Sequence, residues 1–92
     1  MKLTVELYGM ARHLSREKEV MVEVSDDATL RDVVAALVGR FPAFLGPLVV
    51  PETYDLVEPY FFNIDGRRVA RSLDIKPKED EHLLLMFVTA GG

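Results

Sequence analysis

The stretch Leu83-Leu84-Leu85-Met86-Phe87-Val88, followed at once by Thr89-Ala90-Gly91-Gly92, carries the most information about the fold. Side chains alternate between the two faces of a strand, so six consecutive apolar residues make both faces apolar. Strands that are apolar on both faces belong in the middle of a sheet and not at its edge. The sequence therefore predicts a central strand at residues 83–88, with other strands on both sides.

Two further strands are predicted near the start of the chain. Apolar and polar residues alternate from Lys2 to Tyr8 and again from Val20 to Val24, which is the two-residue period of a strand with one buried face. The polar residues 9–18 between them are expected to form a loop. The two strands can then pair as a hairpin.

One main helix is predicted to begin at Leu30. Thr29 is a good N-cap residue, and Asp32 three positions later nearly completes a capping box. The helix is expected to stop at Phe41, because Pro42 disfavours helical geometry in the residue before it. Its apolar stripe should pack on Leu3, Val5, Val22 and the last strand. The stripe consists of Leu30, Val33, Val34, Leu37, Val38 and Phe41.

The region between the helix and the last strand is less regular. Residues 43–59 contain three prolines but are too apolar for a solvated linker. Compact domains seldom contain structureless loops longer than roughly 12–15 residues, so we expect short elements here that pack on the core or on a partner. Tyr60 to Ile64 has the aromatic and β-branched composition of a strand, and Asp65-Gly66 predicts a turn into a short hairpin partner.

The order of these elements predicts an α+β fold. A mixed sheet with one main helix packed across one face is the layout of a ubiquitin-like β-grasp, in which the first and last strands are parallel. Ninety-two residues are too few for two cores. We therefore expect a single β-grasp domain at residues 1–92 with a flexible C-terminal tail at residues 89–92.

Composition excludes several classes of function. A net charge of −4 gives no basic excess for nucleic acid, and the chain contains no cysteine for disulfides, thiolate metal sites or a side-chain persulfide. His13 and His82 have neither a cysteine nor a matched acidic cluster, so no metal site is assigned. No nucleophile–base set or phosphate-binding loop points to an independent enzyme. Charges interrupt the first apolar run, so we expect no membrane segment and a cytoplasmic location.

Three surface features have two interpretations each. The acidic run at residues 79–81 is either a solvated loop or a docking site for a basic surface. The arginines of residues 67–71 either are solvated or contact an activating enzyme or a phosphate. One set of alternate side chains in the last strand must lie on the sheet face away from the helix. That face is either an open binding surface or is covered by residues 43–59.

The tail suggests a specific chemistry. A carboxylate is a poor electrophile until an enzyme transfers AMP to it from ATP, with magnesium offsetting the phosphate charge. Glycine has no Cβ to obstruct a narrow active site. We therefore expect Ala90, Gly91 and Gly92 to enter a partner's active site, where the Gly92 carboxylate is activated.

The whole chain resembles the MoaD/ThiS sulfur-carrier family, which includes the small subunit of molybdopterin synthase. The residues that carry the resemblance are the helix start Thr29-Leu30-Arg31-Asp32-Val33-Val34, the Asp65-Gly66 turn and the terminal Ala90-Gly91-Gly92. The resemblance implies that a ubiquitin-activating-type enzyme, using ATP and magnesium, adenylates Gly92. A thiocarboxylate then forms at Gly92 and donates sulfur inside a larger catalytic subunit, in the leading version for molybdenum cofactor. No cofactor bound by this chain itself is implied.

Two features differ from the synthase small subunits. Those chains often carry Gly-Asp-Glu before the last strand and Pro-Pro before the tail, where this chain has Glu79-Asp80-Glu81 and Phe87-Val88-Thr89. The alternatives are a ubiquitin-like modifier joined to lysines through Gly92 and a non-covalent β-grasp interaction module. The length of the chain favours the molybdopterin or modifier type over a thiazole-pathway carrier.

Overall fold

The structure, a computed structural model, describes residues 1–89. Its five strands form one mixed sheet in the order β2-β1-β5-β3-β4. The elements are β1 (Lys2–Leu7), α1 (Met10–Ser15), β2 (Glu19–Glu23), α2 (Leu30–Arg40), a 3-10 turn (Pro42–Phe44), β3 (Tyr60–Ile64), β4 (Arg68–Val69) and β5 (His82–Phe87). The last strand is central, as its apolar sequence predicted, and it is parallel to β1, as the β-grasp layout predicted. Its other neighbour, β3, is antiparallel to it.

The opening hairpin pairs β1 with β2 in the expected antiparallel way, with Val5 opposite Val20 and Leu3 opposite Val22. The connection between the strands was expected to be a loop, and this prediction was wrong in part, because residues 10–15 form α1. Ala11 is buried in the core, and Arg16 in left-handed conformation ends the helix. Three apolar residues in a six-residue segment were too short a pattern to predict the helix.

The main helix begins and ends close to its predicted limits. Thr29 and Asp32 form a complete capping box: the Asp32 N–H donates to Thr29 Oγ1 at 3.3 Å, and Asp32 Oδ2 accepts from the Thr29 N–H at 2.9 Å. The apolar stripe lies in the core, with the exception of Phe41, which is half-buried and stacks on Phe44 with ring centroids 5.2 Å apart. The helix therefore covers one face of the sheet through its apolar stripe.

Residues 43–59 pack on the core beside the main helix. Phe44, Leu48 and Val49 are fully buried in the same hydrophobic cluster as the helix stripe. Arg31 at the start of α2 donates hydrogen bonds to the Thr53 carbonyl oxygen at 2.8 Å and to Asp55 Oδ1 at 2.7 Å. This segment is thus part of the domain's own core.

The Asp65-Gly66 turn was predicted correctly. Both residues have positive φ, 58° and 70°, as a tight hairpin turn requires. It connects β3 to the two-residue β4, in which Val69 pairs with Asn63. No helix within residues 1–89 has the length and apolar character needed to cross a bilayer.

Candidate functional site

The predicted site residues Ala90, Gly91 and Gly92 lie outside the described residues. The described chain continues for two exposed residues, Val88 and Thr89, after β5 ends at Phe87. The predicted mobility of residues 89–92 therefore stays a prediction. What the structure defines is the position and direction in which the chain leaves the sheet.

That direction is fixed by hydrogen bonding on both sides of β5. Because β5 is parallel to β1, their C-terminal ends lie at the same edge of the sheet, and the Tyr8 N–H donates to the Leu85 carbonyl oxygen at 3.1 Å. On the other side, Tyr60 at the start of β3 is opposite Phe87. The chain therefore leaves the sheet between the end of β1 and the start of β3.

Three residues hold the end of β5 in place, and we call them the exit cluster: Gly9, Tyr60 and Phe87. The Tyr60 and Phe87 rings lie 5.2 Å apart, and the Tyr60 hydroxyl oxygen accepts a hydrogen bond from the Met10 N–H at 2.7 Å. Gly9 has φ of 57° and ψ of −125°, and a Cβ on it would overlap the Phe87 ring and lie 2.6 Å from the Tyr60 hydroxyl. Only glycine fits between these rings and the backbone.

Alternate residues of β5 have opposite surroundings. Leu83 and Leu85 are fully buried under the helix, where they pair with other core residues of β1 and β3. Leu84 and Met86 point to the other side and are half-buried, with Met86 opposite Phe61. The helix-covered side is hereafter the covered face, and the side that carries Leu84, Met86 and Phe61 is the outer face.

The apolar side chains of the outer face within β3 and β5 are partly exposed. The alternative that residues 43–59 cover it is wrong, because their buried side chains Phe44, Leu48 and Val49 lie in the core on the covered face. Met21, 58% exposed, adds apolar surface on the β2 side, and Val88, 63% exposed, adds it beyond the strand end. A partly apolar surface therefore begins where the chain leaves the sheet.

Charged residues lie on the same face toward β2. His82 Nε2 is 3.3 Å from Glu6 Oε1, and the Tyr8 hydroxyl donates to Glu6 Oε2 at 2.7 Å. That hydrogen bond is the main reason that the pKa of the Tyr8 phenol is raised. Glu19 is directly opposite Glu6 on β2. His82 was not assigned to a site from the sequence, because the group forms only through the pairing of β1 with β2 and with β5, which brings both glutamates onto the face that carries His82.

Two of the other charged residues have structural roles. Glu81 accepts a hydrogen bond from the Lys78 N–H at 2.6 Å and pairs with Arg68 at 3.1 Å, so it fastens the acidic loop to the β4 hairpin. Glu79 and Asp80 are exposed, as are Arg67 and Arg71. The acidic run and the arginines are thus partly structural, and their exposed members remain available for contacts.

Solved structures with the same architecture identify the fold. SAMP1 from Haloferax volcanii matches over 100% of both chains with a TM-score of 0.83 at 24% identity. A putative molybdopterin converting factor, subunit 1, from Pyrococcus furiosus matches over 96% of this chain and 98% of its own, with a TM-score of 0.73 at 23% identity. The Amycolatopsis orientalis BexX/CysO complex contributes a match over 98% of this chain and 99% of the matched chain, with a TM-score of 0.75 at 20% identity.

These similarities confirm the β-grasp fold that the sequence predicted. No protein-family model matches the sequence, and no curated protein shows significant sequence similarity to it. At these identities the likeness concerns the fold. The matched proteins are described in different ways, as a small archaeal modifier protein, a converting-factor subunit and a member of a complex, so the shared fold does not assign a role to this chain.

Proposed function

We propose that this chain is a ubiquitin-like sulfur carrier whose Gly92 carboxylate is adenylated and converted to a thiocarboxylate, most directly for molybdopterin synthesis. The observation that carries the proposal is the position of Gly91-Gly92, four and five residues after the central strand β5, whose end lies beside a partly exposed, partly apolar sheet face. Because β5 lies at the centre of the sheet, the tail starts from a fixed position. The partly exposed outer face beside it offers a partner a place to bind.

The chemistry has two balanced steps. A carboxylate oxygen of Gly92 attacks the α-phosphorus of ATP, and pyrophosphate leaves. A hydrosulfide-equivalent donor then attacks the carbonyl carbon of the acyl-adenylate, AMP leaves, and a thiocarboxylate with one released proton remains. The activating enzyme supplies ATP, magnesium and catalytic groups. The chain has no cysteine that could carry sulfur as a persulfide, so the proposal places the sulfur on the carboxylate.

Chain geometry requires the partner to bind near the exit cluster. Three residues beyond Thr89 span at most about 10–11 Å even when fully extended. An activating enzyme or larger catalytic subunit that takes Gly92 into its active site must therefore contact the sheet close to Phe87. We propose that Leu84, Met86 and Phe61 on the outer face provide this contact.

A second candidate function is conjugation to lysine side chains through the same adenylate. Its support is that SAMP1 belongs, by its description in a second structure, to the small archaeal modifier proteins. Mass spectrometry of the protein from its source cells separates the two. Replacement of one terminal oxygen by sulfur at Gly92 supports the carrier, and Gly-Gly remnants on lysines support the modifier. The same spectra establish whether the cellular chain ends at Gly92.

Pyrophosphate exchange with the activating enzymes of the source genome tests the use of the carboxylate. The intact chain should drive exchange of pyrophosphate into ATP, whereas a chain lacking Gly92 or extended by one residue should not. Gly39→Ala is the matched control, because a Cβ there meets nothing within 4 Å. Full exchange by the truncated chain would exclude the carboxylate mechanism and favour the non-covalent interaction module.

A further inference from the structure

Three side chains from three strands converge on the outer face away from the exit. Glu6 on β1, Glu19 on β2 and His82 on β5 each present one possible metal-ligand atom, and these atoms all lie within 4.8 Å of one another. Glu6 and His82 are about one-third exposed, whereas Glu19 is on the free edge strand. The group is therefore held on a rigid sheet and remains accessible from solvent.

The distance between the ligand atoms of His82 and Glu6 matches the spacing of two neighbouring ligands on a zinc ion. Zinc bonds to imidazole nitrogen and carboxylate oxygen are about 2.0–2.2 Å, which places neighbouring ligands of a tetrahedral ion about 3.3–3.5 Å apart. The distance between His82 Nε2 and Glu6 Oε1 is 3.3 Å. Glu19 needs a movement of only about 1–1.5 Å to reach the same spacing, and its exposed side chain leaves it free to make that movement.

The Glu6 carboxylate is already oriented by a neighbour. The Tyr8 hydroxyl donates to Oε2 at 2.7 Å, so Oε1 is the oxygen that faces His82. Metal-binding carboxylates are commonly fixed by such an outer hydrogen bond, which sets the direction of the ligating oxygen. Tyr8 therefore prepares Glu6 as a one-oxygen ligand.

The charges also favour a cation at this position. Glu6 and Glu19 are directly opposite on neighbouring strands, an arrangement in which like charges destabilise a sheet. A protonated His82 offers one positive charge, and its contact is with Glu6. A divalent ion between the three side chains would offset both carboxylates at once.

We propose that Glu6, Glu19 and His82 form a zinc-binding site with its fourth coordination position open to water. One imidazole and two carboxylates suit Zn²⁺ better than Mg²⁺ or Ca²⁺, which prefer sites made of oxygen ligands. Three protein ligands leave a tetrahedral ion with one free position. Leu84, which is opposite Glu6 in the parallel pair, is the neighbouring apolar residue on the outer face.

Titration of the metal-free full-length protein with Zn²⁺ alone tests the site. Calorimetry should give one ion per chain, and the imidazole NMR signals of His82 should shift while those of His13 do not. His82→Gln and Glu19→Gln should each weaken binding at least about tenfold, in line with loss of one of three ligands. Glu23→Gln, on the same strand and face but opposite Lys2, is the matched control and should bind zinc as the parent does.

A thermal readout gives an independent check. Zn²⁺ should raise the melting temperature of the parent and of Glu23→Gln, and raise that of His82→Gln far less, because only native-state binding stabilises. The proposal is overturned if zinc shifts His13 and leaves His82 unchanged, if His82→Gln binds as tightly as the parent, or if no binding occurs at millimolar zinc. If a variant unfolds, the His82 shift in the parent protein decides.

Discussion

A substitution on one face of β5 should change the stability of the domain, whereas a substitution on the other face should change its recognition by a partner. On the covered face, Leu83 and Leu85 contact the helix core and are fully buried. One residue further along, Leu84 and Met86 have the same apolar character but lie half-buried on the outer face. The covered face makes the domain stable, whereas in our proposal the outer face makes it recognisable to a partner. Neighbouring residues of one strand therefore provide matched pairs for separating stability from function.

The largest expected effect is on the covered face. Leu85→Ala should lower the free energy of unfolding by about 2–5 kcal/mol, because truncating a buried leucine removes its contacts and leaves a cavity. Leu84→Ala should cost about 1.5 kcal/mol or less, since its side chain is only half-buried. Urea denaturation measures both. Equal losses would show that the two faces are equally buried in solution.

The next effect concerns the exit cluster. Gly9→Ala should destabilise the protein by about 1–3 kcal/mol, the usual range for a non-glycine residue forced into a strained backbone conformation. Overlap of the new Cβ with Phe87 adds to this cost. Gly39→Ala in α2 should instead stabilise by about 0.5–1 kcal/mol, because alanine favours helix over glycine. Thermal unfolding of both variants should thus give shifts of opposite sign.

A substitution on the outer face should change the stability less but should clearly weaken the activation of this chain by its activating enzyme. Met86→Ser should lower the free energy of unfolding by about 1 kcal/mol or less, yet raise the KM for this chain in pyrophosphate exchange about tenfold, the effect of truncating an interface anchor. Met21→Ser on β2 removes the same apolar group farther from the exit and is the matched control. An unchanged KM for Met86→Ser would exclude the outer face as the docking surface.

The sequence predicted the covered face better than the outer one for a physical reason. Core positions follow the two-residue and 3.6-residue periods that burial imposes, so the central strand, the hairpin and the α2 stripe were predicted correctly. The group of Glu6, Glu19 and His82 depends on the register of β1 with β2 and on the pairing of β1 with β5. Neither register follows from local periodicity. The same holds for Gly9, whose role depends on two aromatic residues more than fifty positions away.

The tail is the part of the site that the sequence suggested and the described residues do not reach. Its chemistry was predicted from residue type at Gly91 and Gly92, without any fold. The structure adds where β5 ends and how near a partner must come. The functional hypothesis thus combines a sequence motif with a structural exit point, and each can be tested without the other.

The smallest effect concerns the rim of the covered face, where Arg31 fastens residues 43–59 to the helix. The hydrogen bond from Arg31 lowers the pKa of Asp55, with a further contribution from Thr53. A carboxylate whose pKa is lower in the folded state contributes stability above its unfolded pKa of about 3.9 and loses it as the pH falls through the folded value. Asp55→Asn keeps an oxygen acceptor for Arg31 but removes the charge, so it should be slightly less stable than the parent at neutral pH. The difference should shrink as the pH drops below about 3.9. The difference shrinks because the carboxylate of the parent becomes protonated and no longer pairs with Arg31.

Urea denaturation between neutral and acidic pH measures this difference in the free energy of unfolding, with the exposed Glu52→Gln as control. If the difference between the parent and Asp55→Asn did not change with pH, residues 43–59 would be held to the helix by the packing of Leu48 and Val49 and not by the ion pair.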